Sequence, residues 1–587
     1  MNYNLYTESE PGDKKKSTLA VLKKLVFFSS NEQNNLIFAI IAILVNAGLN
    51  LFGPYMVGYT IDTYVKTRDY QGILSFSGIL LIIYCTAFFS NLLQMRLMGS
   101  IGQRMLFKLR NSLFTKLQEL PVDFFNQNKA GDLISRINND TDKVNQFFSQ
   151  SLMQFIGSIF TMIGSAVFLL IINIKLGAAA LIPAFLVLIF TRILSPWLRT
   201  LNAKNLKSTG MLSSEVQESL NNFKVIVAFN RRDYFRKKFA EVNENNYQTA
   251  VKAGIANNIF QSVYGLAANA GQLIVLTYGI YLISKGNFSV GLLISFLVYI
   301  TNFYNPMRQL AALWSGFQLA LAAWDRIWKI LTLQNNLTVI EENGLTKSDS
   351  FVTLQDVSFS YPNGKEVLHH VNINLERGKT YAFVGPTGGG KTTTASLLSR
   401  LYDTTIGSIF LDGKDIRSYK PEIRVKKVGF ILQDPFLFSG TVKDNIVYGN
   451  EEYKNSATNH LITDIQSSGL ETLLDRFENG LDTLVHPSGE GMSLGQKQLI
   501  AFMRAVLRKP ELLILDEATA NIDTITEHLL EDILKKLPAE TTKVIIAHRL
   551  NTIENADEIF FVNSGNVIPA GSLEHAVNML LQGKRES

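Results

Sequence analysis

The hydrophobic and polar positions divide this chain into two regimes. In the first, six apolar stretches run near Leu36 to Ile61, Ile73 to Gln94, Ser149 to Ile172, Leu176 to Leu194, Asn258 to Ile283 and Val290 to Leu310. Each approaches the roughly 20 residues that a helix needs to cross about 30 Å of hydrocarbon, so six transmembrane helices are expected. The apolar pattern continues as amphipathic helix to about Leu331, and a polar segment from Gln334 to Ser350 follows. In the second regime short apolar runs such as Glu511 to Leu515 suit strands buried on both faces of a parallel sheet. The predicted organisation is a transmembrane domain over residues 1–333, a linker over 334–350 and an α/β domain over 351–587.

The connections between the apolar stretches alternate in kind. The second and fourth are long and basic, the second carrying Arg96, Arg104, Lys108 and Arg110 among others, the fourth Arg231, Arg232, Arg236, Lys237 and Lys238. The short connections carry few basic residues: Lys66 and Arg68, Lys175, Lys285. The positive-inside rule therefore places both termini and the second domain in the cytoplasm. Each long connection reads as helix on both sides of a break, at Leu120 to Asn126 and at Gln217 to Lys224, so the helices are expected to run past the membrane, with the breaks as contact points for the second domain. A basic amphipathic stretch, Lys14 to Phe28, suits either a helix on an anionic lipid surface or a solvated tail.

Composition agrees with a membrane chain. Of 587 residues 47% are hydrophobic and 18% charged, against the roughly 25% charge of soluble domains. A net charge of +6 is compatible with nucleic acid, but the basic residues cluster beside the apolar spans, which points to topology and not to nucleic acid. The one cysteine, Cys85, excludes an internal disulfide and is expected to be packed. Inside the spans there is almost no charge but many amides, among them Asn46, Asn50, Gln94, Asn257 and Gln272, with Phe52, Tyr55, Tyr59, Phe296, Tyr299 and Phe303. For any single amide, helix-to-helix hydrogen bonding is the commoner use; as a population they suit a wet cavity with aromatic walls for amphipathic small molecules.

The chemistry lies in the second domain. Tyr381 to Val384 is a short apolar strand leading into Gly385-Pro386-Thr387-Gly388-Gly389-Gly390-Lys391-Thr392-Thr393. Gly385, Gly390, Lys391 and Thr392 meet the spacing of a phosphate-binding loop, in which successive backbone N–H groups surround phosphates at a helix N-terminus. Lys391 would reach the terminal phosphates of ATP and Thr392 would ligate Mg2+. The strand Leu512 to Leu515 ends in Asp516 and Glu517, at the strand end where ligands gather in a parallel sheet. Asp516 suits the Mg2+ shell and Glu517 the polarisation of an attacking water. Together the two motifs indicate a nucleotide hydrolase.

With these motifs after six spans, the chain resembles an ABC exporter half-transporter of the type IV fold, residues 351–587 looking like its ATP-binding cassette. The resemblance implies further roles. Tyr361, in Val-Ser-Phe-Ser-Tyr-Pro, is similar to the aromatic on which adenine stacks. Gln433 resembles the glutamine that contacts Mg2+ and the attacking water, His548 the switch histidine that senses the γ-phosphate, and Asp523 the aspartate of the loop between cassettes.

One motif departs from the family. Its signature, Leu-Ser-Gly-Gly-Gln, contacts the ATP held by the opposite cassette; here the stretch is Met492-Ser493-Leu494-Gly495-Gln496. Ser493, Gly495 and Gln496 survive as candidate contacts in trans, while Leu494 replaces the first glycine, where it is expected to restrict φ and hinder backbone approach to phosphate. Intact Walker residues beside an altered signature resemble the catalytic-glutamate-bearing subunit of bacterial heterodimeric multidrug exporters. The expected function is ATP-driven export of amphipathic molecules or drugs across the cell membrane by alternating access, with a second half-transporter as partner. The alternative is a homodimeric lipid or lipid-linked-glycan flippase.

Overall fold

The computed structural model of the chain describes residues 3–5, 32–341, 350–362, 364–453, 458–516, 524–546 and 555–583. The stretch Lys14 to Phe28 lies outside the described residues. The chain forms two compact units: Glu8–Gln118 with Gly131–Thr332, and Leu333–Ser587 with Glu119–Ala130 and Met1–Thr7.

The first unit is built on six long helices: α1 Gln33–Thr60, α2 Tyr70–Glu119, α3 Leu152–Ile172, α4 Ile174–Asn221, α5 Arg232–Ser284 and α6 Val290–Leu331. Each expected apolar stretch falls within one helical segment long and apolar enough to cross a membrane. Helices α2, α4 and α5 hold 50, 48 and 53 residues. At 1.5 Å per residue that is about 75 Å, far more than the hydrocarbon thickness, so they continue well beyond a bilayer. Side chains cap two of the starts, Asn173 accepting from Leu176 N at 3.0 Å and Ser289 from Leu292 N at 3.2 Å.

Helix α6 packs on α1, α3 and α5, and α4 pairs with α5. Leu51, Leu169, Leu176, Val275 and Ile300 are buried at the centre. The α1–α6 crossing depends on small residues: a Cβ on Gly58 would collide with Ser295 Oγ and with the Gly291 carbonyl. That closeness lets Ser295 Oγ donate to Pro54 O at 2.7 Å and Tyr299 Oη to Leu51 O at 2.6 Å.

The polar and aromatic residues of the spans divide into two groups. Phe296 and Tyr299 are fully buried within the subunit and therefore belong to its packing. Several amides bond to neighbours, Asn50 to Asn46, Gln94 to Asn91, Gln272 to Thr301 and Asn257 to Asn202. Phe52, Tyr55 and Tyr59 remain exposed along one side of α1. Cys85 is exposed on α2 and not packed as expected, because the C-terminal half of that helix carries most of its buried residues, from Gln94 to Leu117.

The breaks are real helix interruptions. The first is the six-residue helix Val122–Gln127, begun after Pro121, and it clusters with the second unit. The second, at Asn222, lies within the expected Gln217 to Lys224. Gln217 to Leu220 continue α4, which ends where the Asn222 side chain turns back onto Glu218 O at 3.0 Å, and Phe223–Ala228 forms the short helix.

Among the described residues the second unit contains twelve strands: β1 Val352–Ser360, β2 Glu366–Leu375, β3 Thr380–Val384, β4 Ile406–Leu411, β5 Lys414–Asp415, β6 Val428–Ile431, β7 Gly440–Thr441, β8 Leu484–Val485, β9 Leu512–Asp516, β10 Thr542–Ile546, β11 Glu558–Asn563 and β12 Asn566–Pro569. The main sheet runs β12-β11-β3-β10-β9-β6, parallel except for β12. A four-stranded antiparallel sheet, β2-β1-β4-β5, packs through Leu354, Val357 and Leu368 against Phe383 and Ile514 of the main sheet. All five residues of β9 are buried, as its apolar run predicts.

Replacing Gly58 by valine should force α1 away from α6. The expected cost is about 1–3 kcal/mol, seen as a lower unfolding temperature of the purified protein in detergent, while Gly78→Val, in open space on α2, leaves it unchanged.

Candidate functional site

The parallel order brings the sequence motifs to one edge of the sheet. Strand β3 ends at Val384 and β9 at Asp516, with β10 paired to both. Strand β6 pairs with β9 and ends two residues before Gln433, so the loop, the carboxylate and the glutamine leave the sheet on the same side.

The glycine loop has the backbone that its composition implies. Gly385 has φ +152, and a Cβ there would strike the Val562 carbonyl, so glycine alone fits between β3 and β11. Gly390 has φ +115 and is the N-cap of helix α7, Lys391–Leu398. Pro386 accepts from Gly389 N at 3.1 Å, closing the loop, with Thr387 and Gly388 exposed at its tip. Lys391 is buried, and its ammonium donates to Gly385 O at 2.9 Å and Pro386 O at 3.0 Å. Thr392 Oγ1 donates to Asp516 Oδ1 at 3.2 Å, although the two residues are far apart in sequence. A hydroxyl and a carboxylate offer only hard oxygen donors, which fits Mg2+ rather than a thiophilic metal, and the lysine beside them fits a polyphosphate.

Tyr361 stands next to this loop, its phenol within 3.1 Å of Thr393 Oγ1. Phe359 and Tyr402 meet its ring edge-on at 4.9 and 5.4 Å. Tyr402 was not visible as a site residue in the sequence, where it is a lone tyrosine after α7. In the structure its hydroxyl accepts from Asn126 Nδ2 at 2.5 Å, which ties the first helix break to the aromatic group beside the loop. Burial, with Tyr361 adjacent, holds the Tyr402 phenol above its ordinary pKa, so it stays neutral across physiological pH.

The altered signature caps helix α8, Leu494–Val506. Ser493 Oγ accepts from Gln496 N at 3.2 Å and Gln496 Oε1 from Ser493 N at 3.0 Å, a reciprocal capping box. Leu494 is the first helical residue and has no positive φ, so the fold does not require glycine there. The restriction of φ expected from the sequence therefore does not operate. What leucine changes is the surface, since its side chain is exposed at the helix N-terminus beside Ser493. Gln496 also donates to Arg476 O at 3.1 Å. Glu517, Asp523 and His548 lie outside the described residues.

Comparison with known proteins gives two matches in the order of the two units. The ABC transporter transmembrane region matches residues 36–307 and the ABC transporter domain residues 368–520. An uncharacterised ABC transporter ATP-binding protein of Bacillus subtilis is 32% identical over 570 residues, covering 96% of this chain and 93% of that one. A fatty acid ABC transporter ATP-binding/permease protein of Mycobacterium tuberculosis is 31% identical over 86% of this chain and 79% of its own length. A putative multidrug export ATP-binding/permease protein of Bacillus subtilis is 28% identical, with 96% and 98% covered.

Removing the Lys391 ammonium should remove its hold on the phosphates. Lys391→Ala is expected to lower ATPase turnover about 10²–10³-fold in the reconstituted protein, and Thr392→Val to raise the Mg2+ concentration needed for half-maximal activity.

Proposed function

The chain belongs to the ABC transporter family, with membrane region and ATP-hydrolysing domain in one polypeptide, and on that footing we propose that it exports amphipathic small molecules or drugs as one subunit of a heterodimeric exporter. The observation that carries the reading is the meeting of Lys391, Thr392 and Asp516 at one sheet edge, in a chain with six helices able to span a membrane. The relative named for multidrug export supports the substrate class. The basic residues of the long connections support a cytoplasmic cassette, and residues 1–333, 334–350 and 351–587 serve as membrane domain, linker and cassette.

In this mechanism Tyr361 stacks on adenine, and the loop from Gly385 to Thr393 takes the phosphates on its N–H groups, with the Lys391 ammonium beside the transferring group. Thr392, Asp516 and Gln433 hold Mg2+, which when bound offsets charge on the phosphate oxygens. Glu517 orients the attacking water and accepts its proton, and His548 reads the γ-phosphate. ATP between two cassettes stabilises their closed arrangement because its γ-phosphate is held from both sides, and hydrolysis removes those contacts. Alternating access of a cavity between the membrane domains follows from that difference. Ser493, Gly495 and Gln496 meet the partner's nucleotide across a signature whose exposed Leu494 crowds the approach, so the partner supplies the intact signature for the site made by this chain.

A second reading, the homodimeric lipid or lipid-linked-glycan flippase, draws on Arg192 and Arg308, both exposed within otherwise apolar spans and suited to an anionic headgroup. The name of the mycobacterial fatty acid relative favours the same direction.

Glu517→Gln is expected to keep ATP binding and to reduce turnover by at least about 10²-fold, and ATP-driven uptake of an amphipathic dye into inside-out vesicles, the equivalent there of efflux, should stop with it. Near-normal turnover in that variant would refute the catalytic assignment. Dye efflux absent from the unaltered protein, with labelled phospholipid moved in its place, would favour the flippase.

A further inference from the structure

Residues 3–5 belong to the same unit as the candidate nucleotide site and bond to the short helix, to Asn128 and to the linker. Tyr3 is 1% exposed, with its ring edge-on to Phe124 at 6.2 Å. Its backbone N donates to Gln127 Oε1 at 2.9 Å, its carbonyl accepts from Asn128 Nδ2 at 2.9 Å, and Leu5 N donates to Asn128 Oδ1 at 3.1 Å. Asn128 Nδ2 also donates to Phe124 O at 2.8 Å, so both ends of that buried amide are engaged by the strap and the short helix. The Tyr3 hydroxyl reaches the linker, lying 3.0 Å from both Gln334 O and Asn336 Oδ1 as a donor and accepting from Asn336 N at 3.2 Å. Burial raises its pKa, so the proton stays on oxygen.

The partners of this strap lead to the phosphate loop by two routes. From the linker, Thr338 O accepts from Arg400 Nη2 at 2.7 Å, and Arg400 is a buried cation two residues beyond α7 that also bonds Asp403 and Arg417 O. From the short helix, Asn126 donates to Tyr402, which braces Tyr361. Helix Val122–Gln127 follows α2 in the chain after Leu120 and Pro121.

We propose that Tyr3 is a positioning residue for ATP use: by fastening Val122–Gln127 to the linker it keeps Asn126 on Tyr402 and so holds Tyr361 ready for adenine. The proposal rests on the reading of Tyr361 as the adenine platform. Without the strap, Tyr402 loses its bond and Tyr361 its brace, which weakens ATP capture more than the chemical step.

The test uses the full chain, reconstituted in lipid with its partner half-transporter, as Tyr3→Ala, Tyr3→Phe and Tyr361→Ala. The expected result for Tyr3→Ala is a KM for ATP raised about tenfold, within the range of one lost stacking contact, with kcat changed less than about twofold. Tyr3→Phe keeps the ring against Phe124 and the backbone bonds but loses the hydroxyl's bonds to Gln334 and Asn336, so it should still show a raised KM, smaller than that of Tyr3→Ala. Hydrogen exchange on the same proteins should show residues 120–128 deprotected in Tyr3→Ala and α7 unchanged. An unchanged KM in Tyr3→Ala, with a raised KM in Tyr361→Ala, overturns the proposal and leaves the adenine platform standing. An unchanged KM in Tyr361→Ala overturns the platform and the proposal together. A fall of kcat with KM constant, or loss of protection throughout the cassette, also overturns it, since Tyr3 would then be only a structural residue.

Discussion

The hydrogen bond between Thr392 and Asp516 joins the end of one buried strand's loop to the end of another, and the arrangement of the candidate nucleotide site depends on that junction. It forms because β3 and β9 both pair with β10 in parallel, which sends their ends out on one side. Parallel strands need both faces covered, and the apolar residues of β3, β9 and β10 are buried accordingly. The site is thus a product of core packing: polar groups appear only where the buried strands stop. Lys391 and the glycine loop complete it, with the Val562 carbonyl leaving room for nothing larger than glycine at 385.

Much of this was legible in the sequence because the signals were periodic or rigidly spaced. Apolar runs of membrane length marked all six helices, and the glycine spacing with the strand ending in Asp516 marked the nucleotide edge. What escaped depends on contacts distant in sequence. Nothing local distinguishes Tyr402 or Asn126, and nothing near Tyr3 announces that it closes over residues 124 to 128 and the linker. The second break falls within the expected Gln217 to Lys224, but its point was not legible: Gln217 to Leu220 stay helical, and the helix ends where the Asn222 side chain bonds back to Glu218 O. Tyr299 and Phe296 read as cavity wall from sequence, whereas Tyr299 bonds Leu51 O and stacks on Phe168, Phe296 meets Phe288, and both are buried in the core.

The signature shows how a sequence expectation can be altered in its mechanism. Leucine at 494 costs the fold nothing, since the position is an ordinary first helical residue with a capping box behind it. Its effect is on what approaches from outside, where a side chain replaces open backbone at the helix N-terminus. On the proposed reading, the intact Lys391, Thr392 and Asp516 set and the Ser493 to Gln496 segment with its exposed Leu494 are two unequal surfaces for nucleotide. That asymmetry is the basis for inferring a partner with the complementary pattern.

The most direct test of this account compares vanadate-sensitive ATPase activity of the chain purified alone in lipid with that of the chain co-purified with a half-transporter carrying an unaltered signature. The account predicts activity in the pair and almost none in the chain alone, because Leu494 would crowd both nucleotides of a homodimer. Equal activity per site in the chain alone would contradict it and show that leucine is tolerated where the phosphate approaches.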